Sequence, residues 1–143
     1  LTTDEQSTEA FVMQPIARVE SSLRELADAP RQGDEGAPDA WVVFDKSVRE
    51  ALADVKVGDE VILISWFDRA DRAVQKVHPR SDPTRPPTGV FSTRSPDRPN
   101  PLGLHRVTVL AVDNLRLHVN NLEALHGTPI VDVKPVLGDV SDR

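Results

Sequence analysis

Apolar residues in this chain cluster in short runs spaced too closely for long helices. Val61-Ile62-Leu63-Ile64-Ser65-Trp66-Phe67 is the strongest run, and its length and β-branched content predict a buried strand. Trp41-Val42-Val43-Phe44, Val107–Val112 and Ile130–Val133 predict further buried strands. Leu115–Val119 alternates apolar and polar positions, which predicts a half-buried strand, and Asp113-Asn114 before it is a hairpin signal. Phe11–Val19 reads as a first strand, with Pro15 confining part of it to an edge. Ser21–Asp28 predicts a short helical turn. Lys46–Ala53 has helical spacing, with Val48, Leu52 and Val55 on one side and Gly58 ending the segment. Ala29–Asp39 and the proline-rich Asp68–Thr88 read as loops, and Gly89–Ser92 as a short strand entry. Strands outnumber helices, so the expected fold is mainly β: a small β-barrel with short helices.

Length bounds the organisation. The chain has 143 residues, the size of one domain with its own core. The expectation is a polar tail over residues 1–10 and a single domain over 11–143. No cysteine is present, which excludes disulfides and thiolate metal sites. No apolar run reaches membrane-spanning length and no signal pattern opens the chain, so a cytoplasmic protein without a membrane partner is expected.

Charge changes the picture locally. The net charge of −6 argues against a protein that tracks phosphates over its whole surface. Between Arg69 and Arg106, however, eight Lys and Arg face three Asp, a bias that suits a small anionic ligand or one nucleic-acid-facing side.

The chemistry concentrates in one run, Gly89-Val90-Phe91-Ser92-Thr93-Arg94-Ser95-Pro96-Asp97-Arg98-Pro99-Asn100-Pro101-Leu102-Gly103-Leu104. Its three prolines fix φ and push the preceding residues towards extended conformations, giving a frozen loop that carries two guanidinium groups and an amide. On chemistry alone, a ligand-holding loop and a rigid crossover with solvated arginines both remain open. No two glycines lie two residues apart, so the dinucleotide G-x-G fingerprint is absent, as are a Walker loop and a G-x-S-x-G elbow. His78, His105, His118 and His126 are scattered, and no metal site is expected.

Together with Pro30-Arg31-Gln32-Gly33 and Gly127-Thr128-Pro129-Ile130-Val131-Asp132-Val133-Lys134-Pro135, that run resembles the TsaA-like family of S-adenosylmethionine-dependent methyltransferases. The resemblance covers roughly Met13 to Leu137. It implies a non-Rossmann β-barrel that binds S-adenosylmethionine, usually as a homodimer. The best-known members methylate N6 of the threonylcarbamoylated adenosine beside the tRNA anticodon. Where motifs match, the resemblance implies four donor-binding segments: Pro30, Arg31 and Gln32; Asp68 and Arg69; Arg94 with Leu104; and Asn120, Asn121, Leu122 and Glu123. Arg31 or Arg94 suits the donor's carboxylate, and Asp68 or Glu123 suits its ammonium or ribose hydroxyls. Asp132 is the candidate base or acceptor-orienting group, with Lys134 setting its charge and Asn100 orienting the acceptor. Asp132 with Lys134 reads equally well as a structural ion pair, and Arg94 with Arg98 as a clamp on the loop.

The sequence departs from the family's usual residues at His126 before Gly-Thr-Pro, at Val136 after Lys-Pro and at His105 after the central Gly-Leu. There is no tyrosine, with four Phe and two Trp, so aromatic stacking partners for an RNA base are scarce. A tRNA acceptor, a small-molecule acceptor and a non-catalytic S-adenosylmethionine-binding module are therefore the three functional expectations.

Overall fold

A computed structural model describes residues 9–24 and 37–138. Six strands close into a barrel: β1 (Ala17–Glu20), β2 (Ala40–Phe44), β3 (Glu60–Trp66), β6 (Leu102–Asp113), β7 (Arg116–Val119) and β8 (Pro129–Pro135). Around the barrel the order is β1-β2-β7-β6-β3-β8, returning to β1, and every neighbouring pair is antiparallel. A small two-stranded ladder, β4 (Lys76–Val77) with β5 (Thr88–Gly89), sits in the long connection from β3 to β6.

The alternation of the strands builds the core. In β3, Val61, Leu63 and Ser65 turn inward while Ile62, Ile64 and Trp66 lie on the outer wall. In β6, Gly103, His105, Val107 and Val109 are buried and Leu102, Leu104 and Arg106 are exposed. The interior is filled by Val19, Val42, Phe44, Leu63, Val107, Val109, Leu117, Val119, Leu122 and Ile130. A 3-10 helix, Lys46–Leu52, covers one end of the barrel. Asp45 caps it by accepting from the Ser47 N–H at 2.9 Å, and Val48, Leu52 and Val55 pack against the core as their spacing implies.

Several boundaries differ from the sequence reading, each for a physical reason. The first strand is Ala17–Glu20 and not Phe11–Val19: Pro15 brings no N–H, pairing begins after it, and Phe11 and Val12 are exposed. Lys46–Ala53 winds as a 3-10 helix with a non-helical Val48. Gly89–Ser92 is not a strand entry; after β5 the chain turns through a 3-10 turn, Val90–Ser92. β6 is twelve residues long and starts at Leu102, inside the proline-rich run, because its pairing with β3 extends from Glu60↔Thr108 to Trp66↔Leu102. The hairpin turn holds Asn114 at φ 55°, a conformation Asn tolerates, and β7 starts one residue late, at Arg116. Ser21–Arg24 is not helical, and residues 25–28 of that turn lie outside the described residues, as do positions 1–8 of the expected tail and most of the Ala29–Asp39 loop.

Candidate functional site

The antiparallel ladders fix which connections share an end of the barrel. Glu20 is opposite Trp41, Ala40 opposite Val119, Trp66 opposite Leu102, and Arg18 opposite Pro129. The chain after β1, β3 and β7, and before β2, β6 and β8, therefore meets at one rim. The sequence-predicted segments Asp68-Arg69, the Arg94 loop and Asn120–Glu123 all leave the barrel there. Pro30, Arg31 and Gln32 lie outside the described residues, between two flanks that tie into the same rim: Arg24 O accepts from Arg69 Nη1 at 3.4 Å, and Pro38 O accepts from the Leu122 N–H at 3.2 Å.

The proline-rich run is held by Arg98. Its guanidinium donates to the carbonyls of Ser95 (2.8 Å), Val90 (2.5 Å) and Thr93 (2.6 Å), so a single side chain pins three backbone positions. Ser95 N and Asp97 N add turns through Thr93 Oγ1 and Ser95 Oγ. Arg94 is exposed and has no partner among the described residues, which leaves its fork open to an anion. Arg72 braces the far end of the run, donating to Pro99 O at 2.7 Å and Asn100 Oδ1 at 3.1 Å while its guanidinium lies 5.1 Å from the Trp66 ring centroid. The amide oxygen of the candidate Asn100 is thus engaged by Arg72.

Below the rim, the outer wall brings two more candidates together. Ile64 is paired with Leu104 on β6 and Asp132 on β8, so Leu104 and Asp132 flank one residue, roughly 10 Å apart across three strands. Leu104 is 50% exposed. Asp132 Oδ2 lies 3.5 Å from Lys134 Nζ, both side chains are more than half exposed, and Asp132 Oδ1 accepts from the Val133 N–H. The two form an ion pair open to solvent.

The Asn120–Glu123 segment plays mixed parts. Asn120 Oδ1 accepts from the Thr108 N–H at 2.8 Å, where β6 shifts register. Asn121 turns the chain at φ 50°. The Leu122 side chain is fully buried in the core, so only its backbone is available at the surface. Glu123 is the half-buried member, and its Oε1 lies 2.6 Å from His105 Nδ1.

That contact belongs to a buried chain that sequence reasoning missed. Ser65 Oγ lies 2.6 Å from His105 Nε2, and Ser65 and His105 are 0% and 2% exposed. Glu123 Oε1 only accepts, so Nδ1 carries the hydrogen; in the neutral ring Nε2 then accepts from the Ser65 hydroxyl. The order Ser–His–Glu is that of a hydrolytic triad, yet no nucleophile results. A Cβ built on Gly103 would come within 2.5 Å of Ser65 Oγ and of the Phe67 ring, so not even a methyl group reaches the hydroxyl. The sequence did hold a signal: Ser65 shares the inward parity of Val61 and Leu63, and His105 that of Val107 and Val109. Two polar residues on inward positions of paired strands require partners.

On the far side of the rim, an open cleft of about 390 Å³ lies between Glu20–Arg24 and Asp39–Trp41, with His118 and His126 on its wall. Here Trp41 stacks on His118 (centroids 4.8 Å apart), and Arg116 lies 4.2 Å from the Trp41 ring centroid. Among the described residues that line it are none of the predicted donor-binding ones, and the flanks of residues 25–36 bound it.

Comparison with known proteins follows the same outline. The family model described as the tRNA-methyltransferase O N-terminal domain matches residues 18–142. An S-adenosyl-L-methionine-binding protein of Archaeoglobus fulgidus is 38% identical over 125 residues, 87% of this chain and 88% of that protein. A probable S-adenosyl-L-methionine-binding protein of Halobacterium salinarum is 39% identical over 125 residues, 86% of this chain and 96% of that protein. The crystal structure of TrmO from Pseudomonas aeruginosa superposes with a TM-score of 0.73 at 26% identity, covering 96% of this chain. The chain spans 62% of the length of that TrmO chain. Among the described residues no helix is long and apolar enough to cross a membrane.

Proposed function

From the premise that this chain belongs to the tRNA-methyltransferase O N-terminal domain family, we propose that it is an S-adenosylmethionine-dependent methyltransferase acting on N6 of the modified adenosine beside the tRNA anticodon. The observation that supports this reading is that three of the four segments expected to bind the donor, those of Asp68-Arg69, Arg94 and Asn120–Glu123, leave the barrel at one rim. The groups there suit the donor's parts. Arg94 offers an open guanidinium for a carboxylate, Glu123 a carboxylate for hydroxyls or an ammonium, and Leu104, on the outer wall below the rim, an apolar surface for the purine. Asp68 and Arg69 are exposed on the same rim, beside Arg24.

S-adenosylmethionine supplies a methyl group already activated by the sulfonium. What remains for the protein is alignment, which in-line transfer rewards strongly. The frozen Arg98-pinned loop holds Arg94 in place. The acceptor nitrogen is weakly nucleophilic and must lose a proton at or after transfer. Asp132, open to solvent beside Lys134, takes that proton or orients the acceptor. Asn100, fixed by Arg72, orients the acceptor through the amide face that Arg72 leaves open. The exposed Leu102 on the outer wall suits a second copy of the chain, so the working form is a homodimer.

A second reading has one observation of its own. The relatives covered over nearly their whole length carry names that specify binding of S-adenosylmethionine, not transfer. Incubation with labelled S-adenosylmethionine and either bulk tRNA or a metabolite extract, followed by mass spectrometry, decides. Methylated adenosine in tRNA is the expected result. A methylated metabolite would replace the tRNA acceptor with a small one. Binding by calorimetry without transfer to any acceptor would leave a donor-binding module.

A further inference from the structure

The buried Ser65–His105–Glu123 chain runs from the barrel interior to the rim. Ser65 and His105 are closed off from solvent, while the Glu123 side chain is 15% exposed. One carboxylate oxygen, Oε1, is held by the imidazole; the other has no protein partner among the described residues. Since among the described residues no buried side-chain oxygen or nitrogen lacks a partner, Oε2 is the oxygen that reaches solvent. The imidazole itself cannot swing: Ser65 holds Nε2, and the Phe67 ring packs edge-on against it at 5.7 Å and 79°. Gly103 closes the cage, leaving no room beside Ser65 Oγ.

We propose that His105, itself fixed by Ser65, is a positioning residue that holds Glu123 Oε1 so that Oε2 faces the rim as a preset acceptor for a hydroxyl or ammonium of bound S-adenosylmethionine. This inference rests on the donor-binding reading of the rim. An exposed glutamate loses rotamer freedom on accepting a ligand. Here that freedom is already gone, and a ligand donor meets an oxygen in place. His105 makes no contact with the ligand; it acts through Glu123. A purely structural histidine would make the same ring contacts, but its two nitrogens would contribute to donor affinity only through stability.

The two nitrogens can be tested separately. In His105→Asn the amide nitrogen sits near the place of Nδ1 and can still donate to Glu123. In His105→Gln it sits near the place of Nε2, reaches Ser65 and leaves Glu123 unheld. The full chain is titrated with S-adenosylmethionine by calorimetry, well below the melting temperature of each variant. The expected result is a Kd raised roughly tenfold or more in His105→Gln and kept within about threefold in His105→Asn, with similar melting temperatures. Ser65→Ala, which frees the ring while sparing the Glu123 bond, is expected to fall between them. Equal weakening in both His105 variants, or no weakening in His105→Gln while Glu123→Ala weakens binding, would overturn the proposal alone. Unchanged affinity in Glu123→Ala would overturn it together with the assignment of Glu123 to the donor site.

Discussion

Gly103→Ala places one methyl group where the barrel has no space. The new Cβ would lie 2.5 Å from Ser65 Oγ and 2.5 Å from two atoms of the Phe67 ring. Normal carbon contacts need 3.5–4.0 Å, so Ser65, Phe67 or the β3–β6 ladder must shift by about 1 Å. Overpacking of this kind costs about 1–3 kcal/mol. Moving Ser65 also strips His105 Nε2 of its donor inside the core, a further penalty of about 1–3 kcal/mol. The combined loss is about 2–6 kcal/mol, and at about 2–4 °C per kcal/mol the melting temperature drops by on the order of 10 °C. Urea and thermal denaturation followed by far-UV circular dichroism measure it. Gly89→Ala serves as control: its Cβ meets nothing within 4 Å and its φ is −56°, so its effect stays within about 0.5 kcal/mol. Ser65→Ala added to Gly103→Ala removes one of the two clashes, and the pair should couple favourably in a double-mutant cycle. A Gly103→Ala variant as stable as wild type would refute the account of a close-packed cage around His105.

The two arginines of the proline-rich run should separate cleanly. Arg98→Ala loses three carbonyl contacts and destabilises by about 2–3 kcal/mol in urea melts, and Arg98→Lys does not restore it, because an ammonium cannot fork between carbonyls. Arg94→Ala leaves stability within about 0.5 kcal/mol yet weakens S-adenosylmethionine binding by calorimetry. Leu63→Ala, fully buried on β3, costs about 2–5 kcal/mol by the same melts. The Ser47 backbone N–H, then the Ser47 hydroxyl and the Lys46 charge, hold the Asp45 carboxyl below its ordinary value of 3.8. A depressed carboxylate stabilises the fold above that value and stops doing so as pH falls through its lowered one. Acid titration from about pH 4 downward should therefore show a stability loss that Asp45→Asn lacks.

The strands whose residues are apolar throughout or strictly alternating were legible from the sequence. β2 and β3 stand out as apolar runs, and β7 as an alternating one. β6 was read six residues short, five of them at its start, since Leu102–Arg106 mixes exposed leucines with a glycine and a histidine, and only the partner strand reveals that the glycine and histidine point inward. The same limit applied to the site. Individual segments were visible as motifs, but their meeting at one rim depends on which strands neighbour each other, a long-range property absent from any local pattern. His105 looked like a departure in a motif, and its role became visible only through Ser65, forty positions away, and Glu123, eighteen positions away. Arg94 carried the donor-binding expectation from the sequence, through the Thr-Arg-Ser core that resembles the family's, and Arg98 did not; the structure adds the carbonyls that surround Arg98 and spare Arg94.

The closed ladder has a consequence for assembly. A sheet with a free edge can recruit a neighbour by extending its hydrogen bonds, a generic attraction that depends little on side chains. Here β1 and β8 complete the circle, so among the described residues the barrel itself offers no free edge strand. Any self-association through the barrel must be written in side chains on the outer wall, where Leu102, Leu104, Leu110 and Val112 are exposed. Such a contact can be abolished by one charged replacement without touching the fold.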